Sequence, residues 1–532
     1  MCMIGGHRRK LPLAKPACVV GVACLGLAAL GAFYWLARTP FLSGQSDDAM
    51  YLASAKALAS GQGYVLAMYP DAPANTFFPP GYALVLSAFW GLLPPFPASL
   101  APLQLFSLLS TGVLLALGAL VLARVYRAEW PAIVLAVALV ATTPVALVLS
   151  TALGSDTLYA ILGLASVWLV GDGRHRPRRL LLGSLCAVAA YYVRTIGIVL
   201  VVALALVGLV RWHRGCRARG TSLLWPLLAL LPWLLWTSAH GGASYVAVVR
   251  SGVPGYAPPL TDPRALLGVV GANALRGVDA LWDVAPALVD VPLLGTLLLA
   301  WALLRAWQRW RQSGEVAPVY VGLYLLALLV WPWQVPGRFV WPIALLLAVD
   351  AVQGLQVLWS RVSQRWGHRL PQAYLIVVAL VLGVNAIGLW AAAERLRTDG
   401  WIRGAEALGV IQAHFILKSY LDGHIAPAAV LGTNHWNNGA WWWLYTGHQT
   451  LDGAARADGQ GAFFLGGRSA GDERLIDYFI YEPFDGVAGA DDWPLVHDRL
   501  EAQGAPQEPL YCTEGYKLCL YQWRAGATAR RP

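Results

Sequence analysis

Two adjacent carboxylates open the first polar stretch of this chain. Ser46-Asp47-Asp48-Ala49-Met50-Tyr51 follows an apolar run directly, and Ala53-Ser54-Ala55-Lys56-Ala57-Leu58-Ala59 and Gly61-Gln62-Gly63-Tyr64 come next. Paired acids beside an apolar run are costly unless they are solvated or used. Such a carboxylate can take a proton from a hydroxyl as a general base. Asp47, Asp48 and a third acid, Asp156 in Ser155-Asp156-Thr157-Leu158-Tyr159, are also hard oxygen ligands for a divalent cation. Nothing in their spacing demands one. Two arginines stand at the ends of apolar runs, Arg194 in Tyr192-Val193-Arg194-Thr195 and Arg338 in Gly337-Arg338-Phe339-Val340-Trp341-Pro342. Each could balance negative charge as it develops. Plainer readings exist for Asp47, Asp48 and the two arginines. Ser46 or Asp47 can cap a helix, and Asp48 favours its dipole. An arginine at a span end can snorkel or pair with a carboxylate.

The elements that must position these residues are apolar. The chain has 532 residues, 58% hydrophobic and 13% charged, with mean hydropathy +0.54. A soluble domain carries about 25% charged residues, so the composition places the chain in a lipid bilayer. Apolar runs near 18–38, 100–123, 131–150, 156–171, 179–193, 195–211, 222–238, 290–306, 317–333, 339–358 and 372–392 predict about eleven spans. The run at 18–38 is longer than a signal-peptide core of about 7–15 residues, so it reads as a retained first span. Arginine clusters around 124–127, 174–179, 211–219, 305–311 and 361–369 fall on one side with Arg8, Arg9 and Lys10. By the positive-inside rule that side is cytoplasmic. The other side then holds 39–99, 239–289 and everything after 393. A helix starting at the aspartates and stopped by Gly61 is expected in the first outer loop. Ala83–Phe96, bracketed by prolines, reads as an interfacial or re-entrant helix, because as a span it would invert every later basic loop.

The segment 393–532 differs in composition, with an acidic excess and alternating runs. Strands are expected at Ala429–Thr433, Tyr478–Tyr481, Pro509–Cys512 and Leu518–Trp523, with a helix near Gly404–Leu421. The expectation is an α-helical polytopic membrane domain over 1–392 and a small extracytoplasmic α/β domain over 393–532. The chain would be a multi-pass plasma or inner membrane protein with a cytoplasmic N-terminus. Cys512 and Cys519 flank a Glu-Gly turn, and two strands around it could join their thiols. Their spacing gives no zinc site. No Walker loop and no strand-linked dinucleotide glycine pattern occurs, and no nucleic-acid motif is present.

The series Asp-Asp-x-x-Tyr, Ala-x-x-Leu-Ala-x-Gly-x-Gly-Tyr and Pro79-Pro80-Gly81-Tyr82 resembles the opening of GT-C glycosyltransferases. The most similar group is the protein-mannosyltransferase and aminoarabinose-transferase superfamily, glycosyltransferase family 39-like. The likeness continues in the Asp156, Arg194 and Arg338 elements, the last similar to the family's Arg-Tyr-x-x-Pro. It implies an inverting enzyme that takes a sugar from a polyprenyl-phosphate donor on the outer face. The acceptor would be a hydroxyl of a glycolipid, lipopolysaccharide or protein. Asp47 then maps to the general base, Asp48 to its partner and Asp156 to the second-loop acid. Arg338 and Arg194 map to the donor phosphate. Tyr51, Tyr82 and His240 are weaker substrate-binding candidates, as are Tyr245 and Arg250, and His435–Asn438 with Trp441–Trp443 could stack on sugar rings. A transporter or flippase of a lipid-linked sugar is an alternative, for which Asp350 in a span would be the coupling residue. A non-catalytic scaffold with the same fold is another.

Overall fold

The computed structural model describes the chain apart from residues 1–15, 43–45, 173–176, 241–249, 251–258, 285–299, 302, 306, 312–314, 332–336, 367–381, 395–406, 435–437, 453–474, 483–492, 503, 515–517 and 524–532. The Arg8–Lys10 cluster, Tyr245, His435, Trp436 and Asn437 lie outside the described residues, as do parts of the runs at 290–306 and 372–392.

The first half alternates apolar helices with one long polar excursion. Helix α1 (Pro16–Ala37) leads to α2 (Ser46–Ala59), which carries Asp47 and Asp48 in its first turn and Lys56 in its last. It ends where expected, with Gly61 at φ 74°, a conformation glycine adopts without penalty. The loop after α2 is ordered by its own polar groups. Asn75 donates to Ser54 Oγ at 3.1 Å, and its Oδ1 accepts from the amides of Phe77 and Phe78 at 3.2 Å each. Helix α3 (Gly81–Trp90) has ten residues, too few to cross a bilayer of about 30 Å.

Helices α4 (Leu100–Arg124), α5 (Trp130–Ala141), α6 (Pro144–Thr151), α7 (Asp156–Asp172), α8 (Pro177–Val193), α9 (Ile198–His213), α10 (Arg217–Leu224) and α11 (Leu231–His240) follow. Thr143 caps α6 and Pro144 starts it, so α5 and α6 meet at a 68° bend. Later come α12 (Pro263–Val284), α13 (Val316–Leu329) and α14 (Ala344–Trp366). Among the described residues, three helical stretches are long and apolar enough to cross a membrane: Leu100–Arg124, Thr195–His213 and Gly220–His240. The bent α5–α6 pair makes a fourth if it is one span. The other runs expected as spans coincide with shorter apolar helices, such as Val316–Leu329, or reach beyond the described residues. Helix α12 falls inside what the sequence reads as a loop.

The C-terminal part holds α15 (Ala407–His424), α16 (Asn438–Thr446) and α17 (Trp493–Ala502) around a five-stranded sheet ordered β2-β1-β3-β5-β4. Strand β1 (Leu431–Thr433) lies parallel to both β2 (Thr450–Asp452) and β3 (Tyr478–Tyr481). Strand β5 (Cys519–Gln522) runs antiparallel to β3 and to β4 (Tyr511–Cys512), with Cys512 opposite Cys519 and the two joined as a disulfide. This part has two apolar clusters of its own, one around Leu417, Leu431 and Leu520, the other around Phe479, Leu500 and Trp523. Ala440, Trp443 and Leu444 of α16 instead join the large core formed with the N-terminal helices.

Candidate active site

The five chemistry-bearing residues singled out above converge on one place. Four chain breaks bring them there: the start of α2, the turn between α6 and α7, the break after α8, and the start of the short helical turn Gly337–Phe339. Asp48 is 1% exposed and its Oδ2 accepts the amide of Leu153 at 2.9 Å. This bond docks the first turn of α2 onto the α6–α7 turn. Gly154 lies between the acids. A Cβ there would sit 3.3 Å from Asp156 Oδ2 and 3.8 Å from Asp48 Oδ1, so the two carboxylates flank its backbone.

Asp156 opens α7, where the helix dipole favours a negative charge. Its partner comes from the break after α8. Arg194 is extended, at φ −153° and ψ 128°, which ends α8 and lets the side chain reach back. Its Nη1 stands 2.7 Å from Asp156 Oδ1 and donates to Ser155 Oγ at 3.2 Å. Ser155 Oγ in turn shares a 2.9 Å hydrogen bond with the Tyr51 hydroxyl of α2. The second pair is long-range: Arg338 Nη2 stands 2.9 Å from Asp47 Oδ2. The pairs differ in access. Side chains of Arg338 and Asp47 are 23% and 18% exposed, against 15% and 2% for Arg194 and Asp156. Both guanidiniums approach the Phe339 ring, Arg194 at 5.1 Å and Arg338 at 5.4 Å from its centroid, within cation–π range. The Phe339 carbonyl accepts the Tyr324 hydroxyl at 2.9 Å, so α13 holds the residue that both arginines share.

The motif Pro-Pro-Gly-Tyr has a steric explanation. A Cβ on Gly81 would fall 2.6 Å from the Tyr192 carbonyl oxygen, so only glycine lets α3 begin against the end of α8. Tyr82 is then 1% exposed, with its ring 5.0 Å from that of Tyr51, itself 3% exposed. Both tyrosines, expected near substrate, form the packed wall behind the carboxylates. His240 ends α11 exposed. Its ring lies 3.9 Å from that of Trp236 and its Nδ1 is 3.0 Å from the Trp236 carbonyl. Among the described residues, no contact links it to the acids. Arg250 is exposed, and Trp442 and Trp443 are core residues. Asp350, the acid singled out for a coupling role, pairs with Arg309 at 2.6 Å.

Sequence reasoning missed the supporting residues. Asn273 of α12 is 4% exposed and its Nδ2 donates to three carbonyls at the end of α13: Leu328 and Leu329 at 3.2 Å each and Trp331 at 2.6 Å. Leu328 and Leu329 end α13, where intrahelical partners for carbonyls run out, and Trp331, whose own amide donates to the Leu328 carbonyl at 3.2 Å, leads toward the Arg338 turn. The apolar periodicity of 263–284 was the one available signal.

Chemically, the arrangement offers an accessible carboxylate beside an accessible guanidinium, backed by a buried pair of the same kind. It suits proton uptake next to a departing anion. A divalent cation at these acids would compete with two guanidiniums already in place. In the C-terminal part, His497, Asp498 and Glu501 have ligand atoms within 4.8 Å of one another, an acidic surface group that by itself specifies no ion.

No family model and no curated protein matches this chain. Solved structures do. ArnT from Cupriavidus metallidurans in the apo state is 12% identical over 97% of this chain and 100% of that one, at TM-score 0.58. The same protein bound to undecaprenyl phosphate is 13% identical over the same shares, at TM-score 0.56. The oligosaccharyltransferase AglB from Archaeoglobus fulgidus is 12% identical over 88% of this chain and 70% of that one. Its TM-score of 0.49 is too low to argue from. The chain has the fold of the ArnT structures.

Proposed function

We propose, with the GT-C fold as premise, that this chain transfers a sugar from a polyprenyl-phosphate donor to a hydroxyl acceptor at the outer membrane face. The observation that carries this reading is the Asp47–Arg338 pair, a carboxylate and a guanidinium 2.9 Å apart and both partly open to solvent. The acceptor oxygen attacks the sugar's anomeric carbon from the side opposite the phosphate. Asp47 takes the hydroxyl proton as the new C–O bond forms. The old C–O bond breaks with its electron pair on the phosphate oxygen, leaving polyprenyl phosphate and an inverted configuration. Arg338 balances that phosphate. The Asp156–Arg194 pair fixes the floor of the site, and Asp48, tied to Leu153, orients α2. The acceptor is a glycolipid, lipopolysaccharide or protein hydroxyl.

Removing a general base lowers turnover by about 10²–10⁴. Asp47→Asn should do so in purified, bilayer-reconstituted protein while binding of undecaprenyl phosphate, used as the probe, persists. Arg338→Ala should lose both. Mass spectrometry of surface glycolipids from cells with and without the protein identifies the sugar for the turnover assay. Full turnover in both Asp47→Asn and Asp48→Asn would return the acids to helix capping and refute the mechanism.

A further inference from the structure

The helix that carries Asp47 and Asp48 is held near both ends by one short stretch of the C-terminal part. Ahead of α2, the Leu42 amide donates to the Tyr445 hydroxyl at 3.3 Å. In the last turn of α2, the Lys56 ammonium lies 3.9 Å above the Trp443 ring. Beyond α2, the Met68 carbonyl accepts the Thr450 amide at 2.8 Å. All three tethers come from Trp443–Thr450, the end of α16 and the start of β2. Between them α2 presents alanines: Ala49, Ala53, Ala55 and Ala57 are 0–3% exposed. Small side chains let neighbouring helices approach closely, and both α3 and α16 pack against α2. The contact continues outward, with Phe96 and Tyr445 rings 4.8 Å apart and Phe41 and Phe415 rings 6.5 Å apart.

Two titrating groups share this interior setting. Burial lowers the Lys56 pKa, and burial pushes the Tyr445 hydroxyl up to about 12 despite the opposing Leu42 hydrogen bond.

We propose that the C-terminal part is a positioning element of the active site: Trp443, Tyr445 and Thr450 clamp α2 so that Asp47 meets Arg338 and Asp48 meets Leu153. Its activity readout rests on the transfer reaction proposed above; its structural readout does not. The clamp residues touch no reacting atom, and Arg338, assigned to the phosphate, lies on another element. A loosened clamp should therefore degrade turnover and spare donor binding.

The test uses the full chain in lipid nanodiscs, with Trp443→Ala, Trp443→Phe, Lys56→Met and Tyr445→Phe. Misplacing a catalytic group by about 1 Å can lower rate by up to about 100-fold. Trp443→Ala should approach that loss in kcat with the Kd for undecaprenyl phosphate unchanged. Hydrogen exchange over residues 46–59 should quicken selectively. Trp443→Phe, which keeps a ring under Lys56, should restore much of both. Lys56→Met and Tyr445→Phe, which delete one tether each with little change in volume, should give smaller effects of the same kind. Unchanged exchange across α2 in Trp443→Ala and Lys56→Met would overturn the clamp. So would an increase spread evenly over all helices, or kcat and Kd moving together. If the unmodified protein transfers no sugar, the transfer reading fails and the exchange measurement alone decides the clamp.

Discussion

Two arginines with the same chemistry should fail in opposite ways when removed. Arg194 pairs with an aspartate that is 2% exposed and also donates to Ser155. Arg194→Met keeps much of the apolar stem and leaves the Asp156 carboxylate buried without its cation. Breaking a buried pair from one side destabilises a protein by about 3–5 kcal/mol. Arg338 pairs with Asp47, and each side chain is about a fifth exposed, at 23% and 18%. Water can replace the guanidinium there, so Arg338→Met should forfeit only about 0–1 kcal/mol. The gap between the variants is then about 2 kcal/mol or more, and activity should be ranked the other way. Arg338→Met should fold well, bind undecaprenyl phosphate poorly and turn over slowly. Arg194→Met should melt early. Adding Asp156→Asn to Arg194→Met removes the stranded charge and should recover much of the lost stability. Thermal unfolding in nanodiscs, followed by tryptophan fluorescence, gives the stability ranking, and binding of undecaprenyl phosphate gives the functional one. Equal melting of the two single variants, or a lower melting point for Arg338→Met, would refute the division into a supporting pair and a working pair.

Other perturbations reach the same site from different directions. Gly154→Ala would place a methyl 3.3 Å from Asp156 Oδ2, and Asp156 is pinned by Arg194. Overpacking of this kind costs about 1–3 kcal/mol; borne by the reacting geometry, that is a drop in turnover of roughly 5- to 150-fold, with the fold intact by circular dichroism, and normal turnover would show that the acids need no such spacing. Asn273→Asp replaces a donor facing three carbonyls with an acceptor, and should loosen the Arg338 turn, seen as weaker undecaprenyl phosphate binding. Asn273→Ser, which keeps a donor, should be milder, and equal binding in both would count against that support. Reporter fusions after residue 130 or 365 should read cytoplasmic and those after 60, 260 or 450 external; an external signal at 365 would undo the expected topology.

The local elements were legible where the sequence carries its own start and stop. Acids in the first turn and Gly61 beyond the last residue define α2 without tertiary help. Tyr478–Tyr481 reads as a strand because its aromatic and β-branched residues alternate between two apolar clusters. Strand β2 does not, since Thr450-Leu451-Asp452 is three residues long and is fixed by pairing with β1 and by the distant Met68 carbonyl. Helix α12 escaped notice because its interruptions by glycine and charge mimic a loop. The site shows the same division. Residue types and motif order pointed to Asp47, Asp48, Asp156, Arg194 and Arg338, but which acid meets which arginine depends on how helices far apart in sequence pack. Tyr51 and Tyr82 look like ligands beside a motif and are buried supports once the close contact at Gly81 is made.

The two ion pairs also have different histories in a chain made from one end. Asp156 opens α7 and Arg194 directly follows α8, consecutive helices that pack on each other. Their charges can cancel as soon as that pair of helices leaves the ribosome. Asp47 must wait for Arg338, which arrives after most of the apolar helices have been synthesised. The acid that waits is the one left partly open to water, and the acid that never waits is the one sealed away. Between these two pairs, burial of charge follows the order of synthesis. A nascent chain stopped before Arg338 would already hold Asp156 neutralised, and its open site would still lack the cation.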